Sequence, residues 1–382
     1  MTQLSRRTVL KTGLAIGTTF VLGRSATAVA APTVAIESIS TISKLPDKYH
    51  GWPTLARRKN GELSLVYSGG REHHVCPFGR VELMTSRDGG ESWTWPRVLL
   101  DSAIDDRDAG VLETAKGTLL VSTFTSLAYE PTLAKLKASD PESFARWNAV
   151  HERMTAEERT ADLGTWMLRS EDGGASWSGR YRVPVNSPHG PIQLADGRLL
   201  YAGVELWTKD RKVGVAESRD DGKTWNWLSD IPTRSGDSHR EYHELHAVEA
   251  KPGRVVVHIR NHNRANAGET LQCESTDGGR TWSEPRSIGV WGLPSHLLRL
   301  NDDRLLMTYG YRRAPFGNQA RISDDAGATW SEPFTISDDG AGGDLGYPST
   351  AQLDDGSLVT VWYEQLKGNS HAVLRQARWK LR

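Results

Sequence analysis

The chain has 382 residues, with 47 Lys+Arg against 47 Asp+Glu, so no net field draws it to nucleic acid or to an anionic membrane surface. Fourteen Trp and 37 Gly against five Met and six Phe fit an all-β protein with many tight turns. No stretch beyond the N-terminus is apolar enough to span a bilayer.

Residues 1–30 read as an export signal. Ser5-Arg6-Arg7-Thr8-Val9-Leu10-Lys11 carries a twin-arginine pattern, Thr12 to Leu22 is apolar, and Ala26-Thr27-Ala28-Val29-Ala30-Ala31 offers a small-residue cleavage region. The expectation is export to the periplasm or beyond, with a mature chain starting near residue 29 or 31. Cys76 and Cys273 fit either a disulfide in an oxidising compartment or two buried thiols.

After a strand-like run from Val34 to Ile42, an apolar strand, a polar turn and a second apolar strand recur six times. The copies are Pro53–Tyr67, Gly110–Phe124, Pro191–Gly203, Glu244–Arg260, Ser295–Tyr309 and Ser349–Tyr363, each a predicted β-hairpin. A second repeat, Ser-x-Asp-x-Gly-x-(Ser/Thr)-Trp, is interleaved with the first. It runs from Ser86 to Trp93, Ser170 to Trp177, Ser218 to Trp225, Ser275 to Trp282 and Ser323 to Trp330. Its Asp can accept backbone N–H bonds across the turn, its Gly supplies positive φ, and its Trp covers the hairpin end. The hairpins lie about fifty residues apart except between the second and third, where Glu130 to Thr165 has apolar residues at helical spacing. That segment predicts a helical insertion of about residues 130–165 in the second repeat. Hairpin, Asp turn and return strand give four strands per repeat and six repeats: a six-bladed β-propeller over residues 31–382. The sixth repeat lacks the Asp turn, so His371–Leu381 and Val34–Ile42 are expected to share a blade and close the ring.

Five Asp turns in a six-repeat chain resemble the sialidase (neuraminidase) superfamily, where they are structural Asp-boxes remote from the ligand. Ligands of such a propeller bind where the innermost strands begin. Here those segments are His50–Pro53, Arg107–Gly110, Ser187–Gly190, Glu241–Glu244, Leu293–His296 and Gly346–Ser349. The resemblance implies a Tyr nucleophile with a Glu beside it, since a neutral nucleophile avoids repulsion from an anionic sugar. Tyr347 in Gly346-Tyr347-Pro348-Ser349 matches the nucleophile and Glu244 its partner. Arg260 matches one of three arginines that hold the substrate carboxylate, and Arg312-Arg313, with Arg313 taken as the anchor, matches another. Two positions depart from the pattern. Gly51 stands where the first arginine should be, leaving Arg71 or Arg107 as replacements. The loop Arg71-Glu72-His73-His74-Val75-Cys76-Pro77 has no Asp for acid/base work, leaving Glu72, His73, His74 or Asp108.

Nine of the twelve His fall at strand starts or adjoining hairpins. Three uses fit them: hydrogen bonds to sugar hydroxyls with a His acid/base, a divalent metal, or proton abstraction beside a uronate carboxylate. His243 and His246 are three apart on a strand and point to opposite faces, which argues against metal. No metal or cofactor is expected. The reading is an exo-acting, retaining glycoside hydrolase of a terminal acidic sugar, with Tyr347, Glu244, His74 and Asp108 catalytic. Arg260, Arg313, Arg71, Arg107, His73, His189, His243, His296 and Trp52 would bind the glycan. A polysaccharide lyase and a non-catalytic carbohydrate-binding propeller are the alternatives.

Overall fold

The computed structural model describes residues 32–382; the expected export signal lies outside the described residues. Six four-stranded antiparallel sheets form the blades of a propeller. Blade 1 is Tyr49–Arg57, Leu63–Arg71, Arg80–Ser86 and Arg97–Leu100, and blade 2 is Asp105–Glu113, Leu119–Ser126, Thr165–Ser170 and Tyr181–Arg182. Blade 3 is Ile192–Gln193, Leu199–Val204, Val213–Ser218 and Asn226–Asp230, and blade 4 is Tyr242–Lys251, Arg254–Asn261, Glu269–Ser275 and Arg286–Trp291. Blade 5 is Ser295–Arg299, Leu305–Tyr311, Gly317–Ser323 and Phe334–Ser337. Blade 6 takes Leu345–Gln352, Leu358–Gln365 and Ala372–Leu381 from the end of the chain and Val34–Thr41 from its beginning, with Val34 facing Leu381 and Thr41 facing Arg375. The two ends of the propeller share a blade.

The cores lie between blades rather than within them. Tyr67 and Met84 of blade 1 pack with Val361 and Leu374 of blade 6, and Val215 of blade 3 packs with Val257 and Cys273 of blade 4. Such buried apolar faces, repeated around the ring, are the main favourable term in its stability. Cys273 is buried in that blade 3–4 core and Cys76 beside the insertion helices, both as free thiols.

Each Asp turn is a self-contained hydrogen-bonded knot. In the first, Ser86 Oγ donates to Asp88 Oδ1 at 2.7 Å and accepts from Gly90 N at 2.8 Å, while Ser92 N donates to Asp88 Oδ1 at 2.9 Å. The Ser92 hydroxyl and these other donors hold the Asp88 carboxyl down at about 2. The Trp of three turns also reaches the preceding blade. Nε1 of Trp93 donates to Gln376 (2.9 Å), of Trp282 to Ser229 (3.0 Å) and of Trp330 to Gln272 (2.9 Å). The repeat therefore fastens neighbouring blades as well as closing its own hairpin.

The insertion in blade 2 forms three helices, Glu130–Ser139, Pro141–His151 and Ala156–Asp162, the last opened by a Thr155/Glu158 capping box. Trp147 is buried with Cys76, Tyr129 and Leu133, and its Nε1 donates to Glu72 Oε2 at 2.7 Å. The helices thus anchor the loop that follows the first hairpin. Among the described residues, no helix is long and apolar enough to cross a membrane.

Candidate active site

The innermost strands of blades 1, 2 and 6 are edge strands, free to bulge on their axial side. Each breaks register at its start, between Gly51 and Thr54, Arg107 and Gly110, and Gly346 and Ser349. At the break sits a non-glycine residue with left-handed backbone: Trp52 (φ 54°), Asp108 (φ 47°) and Tyr347 (φ 53°). Such backbone is strained for a bulky side chain and persists where its surroundings over-determine it. Glu244 lies at a similar register break between His243 and Leu245 in blade 4.

These breaks bring Tyr347 against Glu244. The Tyr347 hydroxyl donates to Glu244 Oε1, and Arg260 Nη1 donates to Glu244 Oε2 at 2.5 Å and to Tyr347 Oη at 3.0 Å. Arg260 Nε donates to His262 Nε2 at 2.7 Å. Burial pushes Glu244 up, but Arg260 and the Tyr347 hydroxyl outweigh it and hold the carboxylate ionised, below its ordinary range. Burial and the facing Glu244 push Tyr347 well above the usual phenol range, so its proton stays on oxygen at rest. Asp108 is 6 % exposed, and its Oδ1 has no partner. Burial lifts it to about 7 against the pull of Arg107, so the site floor carries a carboxyl that holds its proton near neutrality.

His74 sits on the helix-anchored loop with its side chain 47 % exposed. Its Nδ1 is 3.0 Å from Asp344 Oδ1. Asp344 also accepts from Tyr49 Oη at 3.0 Å and Tyr363 Oη at 3.2 Å. Burial raises Asp344, yet the hydrogen bonds from His74, Tyr49 and Tyr363 carry it below its ordinary value. An ionised carboxylate only accepts, so Nδ1 of His74 bears the hydrogen and Nε2 is the free position.

The expected arginines divide. Arg260 and Arg107 are at the site: Arg107 stands 4.4 Å over the Trp52 ring. Arg71 is fully buried, paired with Asp105 at 2.6 and 2.9 Å, and donates to the carbonyls of His73 and His74. It cannot replace the arginine missing at Gly51; it shapes the His74 loop and supports Trp52 from 4.9 Å. Arg313 stacks on Trp291 at 3.8 Å, and Arg312 takes the place expected of it. Arg312 Nε donates to Leu345 O at 2.9 Å and its guanidinium lies 5.9 Å from the Tyr347 ring. One step along the chain after Tyr311 turns the side chain to another face, which sequence spacing does not resolve.

His243 borders the site, hydrogen-bonded to Arg211 at 3.1 Å and with its ring tilted against that of His262 at 4.4 Å. His189 and His296 lie deeper, on the propeller axis, with His189 6.5 Å from the Tyr347 ring. His73 is exposed and points to Trp147 at 5.9 Å, so it serves the insertion rather than the site. Glu72 is likewise taken by Trp147. Asp344, Tyr49 and Tyr363 escaped the sequence reading. The signal for Asp344, an acidic residue three positions before Tyr347, was present.

A model of the BNR repeat-like domain family matches residues 144–360. A sialidase of Bacteroides fragilis is 25% identical over 339 residues, covering 82% of this chain, and the match spans 59% of that protein, less than two thirds of its length. Among solved structures, a protein of unknown function from Dyadobacter fermentans has a TM-score of 0.75 at 24% identity, covering 91% of this chain and 99% of that one. The NanB sialidase of Streptococcus pneumoniae has a TM-score of 0.61 at 12% identity, covering 92% and 71%. With six blades, five Asp turns and more than half of its length matched, the chain belongs to the BNR repeat-like domain family and has the propeller fold of the sialidase superfamily.

Proposed function

We propose that the protein is an exo-acting, retaining glycoside hydrolase that removes a terminal acidic sugar. The observation that carries the proposal is the buried Tyr347–Glu244–Arg260 cluster. Tyr347 Oη attacks the anomeric carbon while Glu244, already hydrogen-bonded to it, takes the phenolic proton. As the glycosidic bond breaks, its oxygen receives a proton from Nε2 of His74, whose imidazolium Asp344 stabilises from the Nδ1 side. A water molecule then displaces Tyr347, giving one proton to His74 and keeping the other in the new anomeric hydroxyl, and Glu244 returns to the phenolate the proton it took in the first step. Two displacements retain the anomeric configuration. His74 suits the acid role better than Asp108 because an exo-acting enzyme's leaving group extends toward solvent. The half-exposed imidazole can reach that oxygen, and the buried carboxyl cannot. Asp108, protonated, is left to donate to a substituent of the bound sugar.

Arg107, Arg260 and Arg312 line the site against two ionised carboxylates, Glu244 and Asp344, which supports an anionic sugar. Gly51 and the sequestered Arg71 support a carboxylate held differently from that in sialidases. Export across a membrane, as residues 1–30 imply, belongs to the same proposal. The test is hydrolysis of fluorogenic sialosides, uronides and neutral glycosides by the wild type and Tyr347→Phe, with the anomer of the first product read by NMR. Retention with collapse of turnover in the variant is expected. An unsaturated product absorbing in the ultraviolet would replace hydrolysis with lyase chemistry, and equal activity of the two proteins would overturn the nucleophile assignment.

A further inference from the structure

Three imidazoles meet on the propeller axis: His189 ahead of blade 3, His246 in blade 4 and His296 in blade 5. All three are buried, with ring centroids 5.2, 5.1 and 4.7 Å apart. On one side His189 approaches Tyr347. On the other, the three rings line a cavity of about 290 Å³, near the lower size of small-ligand sites. Its walls are the downstream halves of the innermost strands, out to Arg57, Glu113, Arg299 and Asn301. Tyr347, Asp108 and Trp52 occupy the upstream starts, so the cavity lies toward the opposite end of the axis.

The hydrogens on these rings can be assigned from their partners. Nδ1 of His246 accepts Leu297 N–H at 2.9 Å, and Nδ1 of His296 accepts Thr350 N–H at 3.5 Å. Burial keeps both rings neutral, so each carries its hydrogen on Nε2. Thr54 Oγ1 gives its own hydrogen to Pro188 O at 3.1 Å, so its 3.4 Å contact with His189 is donated by Nδ1. Nε2 of His189 is then a lone-pair acceptor, and it is buried without a partner.

The trio therefore carries two donors and one acceptor, the complement of a hydroxyl group, which accepts twice and donates once. An anion would face the His189 lone pair, and a metal ion would face two N–H hydrogens. Among the described residues, no group of three or more His, Cys, Asp or Glu has metal-holding geometry. Charge at the mouth is compensated as well: Arg57 pairs with Asp354, Arg299 with Asp303 and Glu113 with Arg58.

We propose that this axial cavity is a second ligand site, separate from the Tyr347 site, that takes a small neutral polyhydroxyl compound such as a monosaccharide or its methyl glycoside. The proposal does not depend on the chemistry at Tyr347. The test follows the imidazole nitrogens of the full chain by NMR while titrating methyl aldopyranosides, glycerol and inorganic phosphate in parallel. Saturable shifts at Nε2 of His246 and His296 are expected with at least one glycoside. They should persist in Tyr347→Phe. Asn301→Trp, a substitution at an exposed residue of the mouth, should weaken binding about tenfold or more while its thermal unfolding matches the wild type. The proposal fails if no neutral probe saturates, if phosphate alone binds, or if Asn301→Trp leaves the shifts unchanged while Tyr347→Phe removes them.

Discussion

Replacing Asp108 with Asn tests whether the site floor holds a neutral acid. Burial raises the Asp108 carboxyl from 3.8 to about 7, and that difference corresponds to about 4 kcal/mol. Below the unfolded value both states hold the proton, and the wild type keeps its full stability relative to the variant. As pH rises past the unfolded value, the unfolded chain releases its proton while the folded chain retains it, so wild-type stability falls relative to Asn. The loss is complete once the folded carboxyl ionises, near pH 7. The neighbouring Asp106, raised to about 8 mainly by burial, slopes in the same direction in both proteins and cancels in the comparison. Urea unfolding followed by Trp fluorescence, at about pH 4.5, 6 and 7.5, should show the variant gaining on the wild type by about 3 kcal/mol between the first and last of these. A constant difference across that range would mean that Asp108 is ionised in the folded protein and would refute the argument.

Tyr347→Phe should abolish turnover and leave Glu244 without its phenolic donor, a loss of about 1–3 kcal/mol measurable by urea unfolding. His74→Ala should lower kcat by about 10²–10⁴ for alkyl leaving groups. It should spare activated aryl glycosides, and added azide should yield a glycosyl azide of retained configuration. Trp52→Ala removes the ring held between Arg71 and Arg107 and should destabilise the protein by about 3–5 kcal/mol in the same unfolding assay. Asp277→Ala, which unties one Asp turn, should lower the thermal midpoint by a few degrees with kcat/KM unchanged.

The blades were legible because the Asp turn is local chemistry. The bonds that tie Ser86, Asp88, Gly90 and Ser92 span two to four residues, and a pattern that short survives as text. The pairing of Tyr347 with Glu244 was legible only through family resemblance, since 103 residues separate them. What stayed hidden depends on partners brought together by ring closure. Asp344 reaches His74 across 270 positions. Arg71 looks like a free cation in sequence and is consumed by Asp105 in the fold. Three isolated His, in three different repeats, become one cluster only because their strands converge on an axis.

The strand Val34–Thr41 works as a clasp, since the first described strand of the chain completes the sheet made by the last. During synthesis it has no partner until Ala372–Leu381 exists. Tyr347 likewise belongs to the last blade made, so it meets Glu244 only when the chain is nearly complete. A product that stops short of the last blade has neither the clasp nor the contact. A cut that frees either clasp strand opens the sheet that carries Tyr347, and the site is lost in one event rather than blade by blade.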